Sequence, residues 1–149
     1  FLVVILGIFI SACSTTAKKS KSASAGDVYT GTDTVKYLAT GVADRVFFAT
    51  NSTGLTSAAK ATLTKQAGYI KASKISVVIE GHADERGTRE YNLALGERRA
   101  NAARDYLMTK GVAKSSIKVI SYGKERPANT DSSKLAWSQN RRSVTVKAN

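Results

Sequence analysis

The chain has 149 residues, and its 23 Lys and Arg against 11 Asp and Glu give it a formal net charge of +12. This length is enough for one domain with a core of its own. A single Cys and a single His exclude a disulfide within these residues and leave a zinc site short of its usual ligands.

The chain opens with an apolar segment followed by its only cysteine. Residues 1–10 are too few for a transmembrane helix, which needs about 20 apolar residues, and their length is typical of a signal peptide. Because no Met or basic segment precedes them, we expect residues 1–12 to be a signal peptide whose start is missing. Residues 10–13 resemble a bacterial lipobox, which predicts lipidation of Cys13; a buried or reactive free thiol is the alternative. The resemblance to bacterial lipoproteins implies, from Ser14 in place of aspartate, sorting to the outer membrane.

A polar, low-complexity segment follows the cysteine. Residues 14–34 are mostly Ser, Thr, Lys, Ala and Gly, with almost nothing to bury. We therefore assign residues 13–43 to a lipidated N-terminus and a flexible linker. About twenty residues would reach up to about 70 Å when stretched, enough for an anchored domain to search for a layer beneath the membrane.

Residues 44–149 alternate between strand and helix patterns and are assigned to one domain. Thr56 or Ser57 can cap a first helix, and Gly111 is a stop signal for a second. In chain order we predict a strand at 44–50, a helix with apolar positions from 55 to 70, a strand at 74–81, a helix at 88–109, a strand at 117–121, a loop at 122–132, a helical turn at 134–139 and a strand at 143–147. This order predicts an α+β fold, a small sheet of about four strands with two main helices on one face and a short extra helix.

Polar side chains concentrate where the second predicted strand leads into the long helix. The strand ends in a loop with His82, Asp84 and Glu85, and such a rim commonly holds ligands. Read at about 100° per residue, Arg99 falls beside the apolar stripe, whereas Arg98 falls on the solvated face. We therefore expect Arg99 to reach back towards Asp84.

Other positions on the long helix follow from the same angular reading. Asn92 and Leu95 share the edge with Arg99, and the spacing leaves open whether they line a pocket or pack ordinarily. The stripe expected against the sheet consists of Leu93, Gly96, Ala100, Ala103 and Leu107. His82 is expected to be a structural imidazole that hydrogen-bonds to neighbouring backbone.

Three stretches carry a family resemblance. GHADERGTREYNLALGERRANAARDYL resembles the signature of OmpA-like peptidoglycan-binding domains, and SYGKERP and NRRSV resemble the peptidoglycan-associated lipoprotein (Pal) branch of that family. The resemblance covers residues 46–146 and implies a mixed, βαβαβ-like sheet. It also implies noncovalent capture of the diaminopimelate side chain of a cell-wall stem peptide, with the ammonium on Asp84 and the carboxylate on Arg99. An arginine suits a carboxylate because its planar guanidinium can donate two parallel hydrogen bonds.

The candidate peptidoglycan-binding residues combine the helical reading with the resemblance. Phe48 is first of all a core residue, with the backbone after it as a ligand contact implied by the resemblance, and Glu85 is as readily a solvated charge as a contact. Members of the Pal branch place acids after the first strand, whereas this chain has Ala49, Thr50 and Asn51, so any contact of those acids is in doubt. The full candidate set is Phe48, Asp84, Glu85, Asn92, Leu95 and Arg99.

The resemblance implies a lipoprotein of the outer membrane, with its domain facing the periplasm, that ties the membrane to peptidoglycan. No cofactor is expected, and proteins of the Tol system are expected partners. An OmpA-like wall anchor without Tol partnership is the nearest alternative. A cell-wall hydrolase is an alternative of another class, but Asp84 and Glu85, adjacent in one loop, are not spaced as a catalytic carboxylate pair, and no nucleophile elbow is present, so we expect no enzyme.

The basic charge alone also suits nucleic acid, and Arg141 with Arg142 would be a candidate phosphate patch. The export signal argues against that ligand. An anionic wall polymer would account for the same charge.

Overall fold

The computed structural model describes residues 25–149. The predictions for residues 1–24, which include the signal peptide and the lipidation of Cys13, lie outside the described residues. The strands are β1 (Tyr37–Ala39), β2 (Val42–Ala43), β3 (Arg45–Phe47), β4 (Val77–His82), β5 (Ile117–Gly123) and β6 (Arg142–Lys147). The helices are α1 (Ser57–Ser73), α2 (Arg89–Thr109) and α3 (Lys134–Asn140), and Ala25–Asp27 and Lys114–Ser116 form 3₁₀ turns.

Four strands form one mixed sheet in the spatial order β3, β6, β4, β5. β4 and β5 are parallel, with Val77 opposite Ile117, and α2 is the crossover that a parallel pair requires. β6 is antiparallel to both β3 and β4. The predicted α+β fold, with two main helices, a short third helix and a mixed sheet of four strands, is confirmed.

Side-chain caps fix where the two main helices begin. The Thr56 hydroxyl accepts a hydrogen bond from the backbone N–H of Ala59 at 3.1 Å, and the Thr88 hydroxyl accepts one from Tyr91 at 3.2 Å. The chain leaves α2 through Gly111, whose φ of +89° lies in the region that favours glycine. These local signals are visible in the sequence, and the predicted helix bounds match closely.

The core lies between the two main helices and the sheet. Its main buried members are Val46, Phe48, Leu63, Ala67, Ile70, Val77, Ile79, Ala100, Ala103, Leu107 and Ile117. α2 approaches β4 closely, because a Cβ added at Gly81 would lie 1.7 Å from the Gly96 carbonyl oxygen. This close approach holds the first half of α2 against the end of β4, where the candidate residues lie.

One member of the predicted apolar stripe was wrong. Leu93 is 44% exposed, whereas Ala100, Ala103 and Leu107 have no exposed surface. The backbone of Leu93 lies directly against the end of β5, since a Cβ added at Gly123 would lie 2.9 Å from the Leu93 nitrogen. This contact leaves no room for the side chain between helix and strand, so it turns outward.

The predicted linker extends too far, because the folded part begins before residue 44. β1 and β2 form a two-stranded hairpin, and Leu38 belongs to the core. Upstream of the hairpin, the Tyr29 ring packs edge-on against Phe47, with 4.9 Å between ring centroids. A few apolar side chains in a polar segment are enough to fix residues 28–43 on the sheet and α1.

Residues 25–149 contain a complete core and folded sheet. The core cluster includes residues from Leu38 to Ile117, and the last strand, β6, ends at Lys147. A segment with its own closed core folds as a unit. None of the helices in this segment combines the length and apolar character needed to cross a bilayer.

Candidate functional site

A cavity of about 230 Å³ lies where β4 ends and α2 begins. Four of the candidate residues line it: Asp84, Asn92, Leu95 and Arg99. The other lining residues are Thr50, Asn51, Arg86, Gly87 and Tyr91. Asp84 lies in the loop after β4, and Arg99 lies about three turns into α2. These two elements therefore bring a carboxylate and a guanidinium to one cavity.

Asp84 is 7% exposed and is held by two arginines. Its Oδ2 accepts hydrogen bonds from Arg86 Nη2 at 2.7 Å and from Arg141 Nη1 at 3.3 Å, and its Oδ1 accepts from Arg86 Nε at 3.0 Å. Burial favours the neutral acid, but the hydrogen bonds from Arg86 and Arg141 outweigh it and keep the pKa of Asp84 below its usual value. The carboxylate is therefore ionised at neutral pH.

Arg86 lies across the mouth of the cavity. Its side chain is 41% exposed, and its guanidinium carbon lies 4.2 Å from the centroid of the Trp137 ring. The hydrogen bonds from Arg86 thus cover both oxygens of Asp84 while its face rests on an aromatic ring. The sequence leaves Arg86 open between a solvated loop charge and a ligand contact, and it does not predict the pairing with Asp84.

Arg99 has no exposed surface, and main-chain carbonyls hold it in place. Nε donates to Ser52 at 3.0 Å, Nη1 to His82 at 3.0 Å and Nη2 to Ala49 at 3.1 Å. A guanidinium has five N–H donors, so two remain after these three bonds. No carboxylate in the described part of the chain lies within 4 Å of it, so its positive charge is not neutralised by direct contact.

The pKa of Arg99 is lowered to about 10, first by burial and then by the nearby charge of Arg141. The side chain therefore remains cationic at neutral pH. The expected reach of Arg99 towards Asp84 stops short of direct contact, because its N–H groups donate to the carbonyls of residues 49, 52 and 82. The two side chains instead line the same cavity without touching.

The predicted phase of α2 is confirmed at the arginine pair: Arg98 is exposed and Arg99 is buried. Asn92 and Leu95, left open by the sequence, are both buried and line the cavity. Asn92 Nδ2 donates to the Arg86 carbonyl at 2.8 Å, which ties the loop to the helix.

Two other candidates lie outside the cavity wall. Phe48 is fully buried, its ring centroid 5.4 Å from the guanidinium carbon of Arg99, and its carbonyl accepts from Arg141 Nε at 2.9 Å. Glu85 is exposed, and its Oε1 accepts from the indole N–H of Trp137 at 2.8 Å, a bond that lowers the pKa of Glu85. Phe48 packs beside the Arg99 guanidinium, and Glu85 holds Trp137 in place through its hydrogen bond.

His82 is a buried imidazole without a hydrogen-bond partner for its ring nitrogens in the described residues. The expected bonds to neighbouring backbone are therefore absent from its side chain. The ring is 1% exposed, and Nε2 lies 3.5 Å from a Glu80 oxygen. Burial, reinforced by the charges of Arg142 and Arg45, lowers the pKa of His82 to about 3, so the ring is neutral and makes no ion pair.

Arg141 is a neighbour of Asp84 that local sequence patterns do not reveal. It contacts Asp84 from 57 positions away and donates from Nη2 to the Asp27 carbonyl at 2.6 Å. Arg142 is also buried, with hydrogen bonds to the carbonyls of Asn140 and Arg126. These two arginines are structural, so the phosphate patch considered from the sequence is not present as an exposed surface.

The segment after β3 receives an acid from elsewhere in the chain. Ala49, Thr50 and Asn51 carry no carboxylate, but Asp27 Oδ2 accepts from the Thr50 backbone N–H at 2.9 Å. A hydrogen bond from Thr50 lowers the pKa of Asp27. An acid from the N-terminal segment thus lies beside the loop that has none of its own.

Arg86 and Arg99 line the cavity together with Asp84, and Arg141 contacts Asp84 without lining the cavity itself. Arg86, Arg99 and Arg141 together exceed the charge of Asp84, so the site attracts an anionic group while still offering an acid to an ammonium. Within residues 25–149 no group of His, Cys, Asp and Glu side chains is arranged to hold a metal ion. This arrangement fits a small zwitterion whose two charges are separated.

The chain is similar to known proteins over the segment that contains the cavity. The OmpA family matches residues 47–141, which run from the last residue of β3 to the residue before β6. The chain belongs to the OmpA family.

This OmpA family domain is 57% identical over 106 residues to the peptidoglycan-associated lipoprotein of Mesorhizobium japonicum, covering 70% of this chain and 63% of that protein. It is 42% identical over 151 residues to the protein of the same name in Brucella melitensis, covering 97% of this chain and 89% of that protein. The chain thus spans less than two thirds of the Mesorhizobium relative.

The OmpA family domain also resembles solved structures. The crystal structure of the peptidoglycan-associated lipoprotein from Burkholderia pseudomallei matches with a TM-score of 0.68 at 38% identity, covering 70% of this chain and 90% of that chain. Sequence and three-dimensional similarity therefore indicate the same fold.

Proposed function

We propose that this chain is a lipoprotein that binds peptidoglycan without forming a covalent bond and so ties the outer membrane to the cell wall. The names of its relatives in Mesorhizobium and Brucella support this role. The observation that carries the proposal is that Asp84 and Arg99 line one small cavity without being paired to each other. The proposed ligand is the diaminopimelate residue of the stem peptide, whose side chain ends in a zwitterion.

In the proposed complex, the carboxylate of diaminopimelate meets Arg99. The carbonyls of Ala49, Ser52 and His82 hold the guanidinium in a fixed orientation, so little side-chain entropy is lost on binding. The two N–H groups that these bonds leave over supply the charged hydrogen bonds. Because Arg99 has no exposed surface in the free protein, the ligand reaches it only after a side chain at the cavity mouth moves.

Arg86 is the side chain proposed to move. It now occupies both oxygens of Asp84, where the ligand ammonium binds in the proposed complex. Turning away from Asp84 leaves Arg86 on the Trp137 ring, so its charge keeps a favourable neighbour. Arg141 remains on Asp84 and keeps the carboxylate ionised.

Lipidation of Cys13 is the proposed anchor, and a periplasm-facing domain at the outer membrane follows from it. A partnership with proteins of the Tol system is proposed from the resemblance to the Pal branch. We propose binding rather than catalysis.

Sedimentation with purified cell walls tests the proposal. The chain should pellet with intact walls, free diaminopimelate should release it, and the walls should shed no soluble fragments. Cadaverine, which keeps both ammonium groups of diaminopimelate but lacks both carboxylates, is the matched competitor and should not release it. Release of soluble fragments would instead indicate a hydrolase, and release by both competitors alike would contradict recognition of the zwitterion.

A further inference from the structure

The end of the domain opposite the cavity carries a cluster of lysines. α2 is about 30 Å long and runs from the cavity to this end, where α1 also stops, β4 and β5 start and β6 finishes. Six exposed lysines lie on these ends: Lys71, Lys74, Lys110, Lys114, Lys118 and Lys147. We call this set the lysine end.

Contacts and register place these lysines on one surface. Lys71 Nζ donates to the Lys110 carbonyl at 2.7 Å, which joins the end of α1 to the end of α2. Lys147 on β6 pairs with the first residue of β4, and Lys118 lies at the second position of β5. Lys114 belongs to the 3₁₀ turn that enters β5.

The acidic side chain nearest to the lysine end in sequence is Asp105, five residues before Lys110, and it is paired with Arg104. Residues 65–79, 106–124 and 142–149 contain no Asp or Glu. None of the six lysines forms an ion pair with a carboxylate in residues 25–149. Lys71 and Lys110 lie at helix C-termini, where a cation interacts favourably with the unpaired carbonyls of the last turn. That interaction does not explain the lysines on the 3₁₀ turn and on the strands.

Aromatic and apolar side chains lie among these charges. Lys147 Nζ is 5.4 Å from the centroid of the Tyr69 ring, and Lys110 Nζ is 5.5 Å from that of Tyr106. Met108 is an exposed apolar side chain on the same end of α2. Tyrosines beside lysines suit the headgroup layer of a membrane, because the ring is apolar and its hydroxyl polar.

We propose that the lysine end binds the anionic phospholipid headgroups of a membrane surface. Ammonium groups on flexible stems suit a diffuse array of phosphates, whereas a single planar anion is better met by the fork of an arginine. Each lysine near an anionic surface strengthens binding about fivefold, which corresponds to about 1 kcal/mol. The proposal concerns a surface that the wall-binding function does not use.

This contact would also orient the domain, and that consequence rests on the proposed function. With the lysine end on the membrane, the cavity lies about 30 Å away and faces the wall. The described chain begins at the cavity end, where Asp27 contacts Thr50. Residues 14–24 span up to about 40 Å when extended, enough to lead from Cys13 at the membrane to that end.

Co-sedimentation of residues 25–149 with lipid vesicles tests the proposal. We expect binding to vesicles of phosphatidylglycerol and phosphatidylcholine but not to pure phosphatidylcholine. The triple variant Lys110→Gln, Lys114→Gln, Lys118→Gln should bind roughly a hundredfold more weakly. The control Lys60→Gln, Arg98→Gln, Lys134→Gln removes the same charge from other exposed positions and should bind within a few fold of the unchanged protein.

Two results would overturn the proposal: absence of binding to anionic vesicles at low salt, or equal weakening by both triple variants, which would mean that net charge alone acts. Wall sedimentation of the same variants separates this inference from the proposed function. The Lys110, Lys114, Lys118 variant should still pellet with walls. If it lost wall binding and kept vesicle binding, the lysine end would be a wall-polymer surface and the membrane assignment would be wrong.

Discussion

The two ends of the domain carry positive charge in opposite ways. At the cavity, Arg99 and Arg141 are buried, and each donates hydrogen bonds to main-chain carbonyls that lie far from it in sequence. At the lysine end, six exposed ammonium groups have no carboxylate partner in the described chain. The net charge of +12 therefore includes two kinds of positively charged side chain with different roles. Buried guanidiniums fix the backbone around a ligand site, whereas exposed lysines contribute mainly a long-range field.

Removal of one charge from each end gives the largest expected contrast. Arg99→Ala leaves three carbonyls without their donor and should lower the free energy of unfolding by on the order of 3 kcal/mol. Lys110→Ala should change it by no more than about 0.5 kcal/mol. Urea unfolding followed by circular dichroism measures both. Similar losses at the two positions would break the distinction between structural and surface charge.

Neutralising the acid of the cavity should affect binding. Asp84→Asn removes the charge proposed to meet the ligand ammonium, so wall affinity should fall by about 1.5 to 3 kcal/mol. Asp131→Asn removes the same formal charge from an exposed position and is the matched control. Quantitative wall sedimentation of variants that remain folded gives both values. An unchanged affinity for Asp84→Asn would remove this residue from the site.

The pKa of the only histidine, His82, is sensitive to burial and to nearby arginines, so it can be tested without any substitution. The pKa of His82 is lowered to about 3 by burial and by the charges of Arg142, Arg45 and Arg126, so the ring should not titrate between pH 5 and 8. The unfolded chain takes up this proton below about pH 6.5, so stability is full above that pH and falls as the pH drops towards 3. Between pH 7 and pH 5 the loss should be on the order of 1 to 2 kcal/mol.

Proton NMR of the imidazole gives a direct measurement, because one His means one set of signals. An apparent pKa near 6.5 would show that the ring meets solvent. His82→Gln should flatten the dependence of unfolding free energy on pH between 7 and 5.

The smallest effect is expected at the neighbour of Arg99. Arg98 is exposed and lies about 100° around α2 from Arg99. Arg98→Ala should therefore leave wall binding and stability within about 0.5 kcal/mol of the unchanged protein. The same sedimentation and unfolding measurements apply. A loss comparable to that of Arg99→Ala would show that the helix faces are assigned incorrectly.

The sequence predicts those parts of the molecule that depend on near neighbours. Thr56 and Thr88 cap helices through residues three positions away, and helical spacing alone separates Arg98 from Arg99. The placement of Asp84 and Arg99 on one cavity also follows, because a strand, a loop and a helix in succession bring them to the same end of the sheet.

The details of the cavity depend on contacts that no local pattern encodes. Arg141 reaches Asp84 across 57 positions, and Arg99 is bound by carbonyls nearly 50 positions upstream. The hairpin formed by β1 and β2 was assigned to a linker because its strands are only two or three residues long and most of its neighbours are polar. Short strands of this kind gain their stability from the surface they pack against, which only the folded structure displays.

Calorimetric titration with two matched stem peptides tests the central claim most directly. One peptide carries diaminopimelate at its third position, and the other carries lysine, which has the same ammonium but lacks the carboxylate proposed to meet Arg99. The account predicts that the diaminopimelate peptide binds at least about tenfold more tightly, as expected for the loss of a charged hydrogen bond. Equal affinity for the two peptides would contradict recognition of a zwitterion in this cavity.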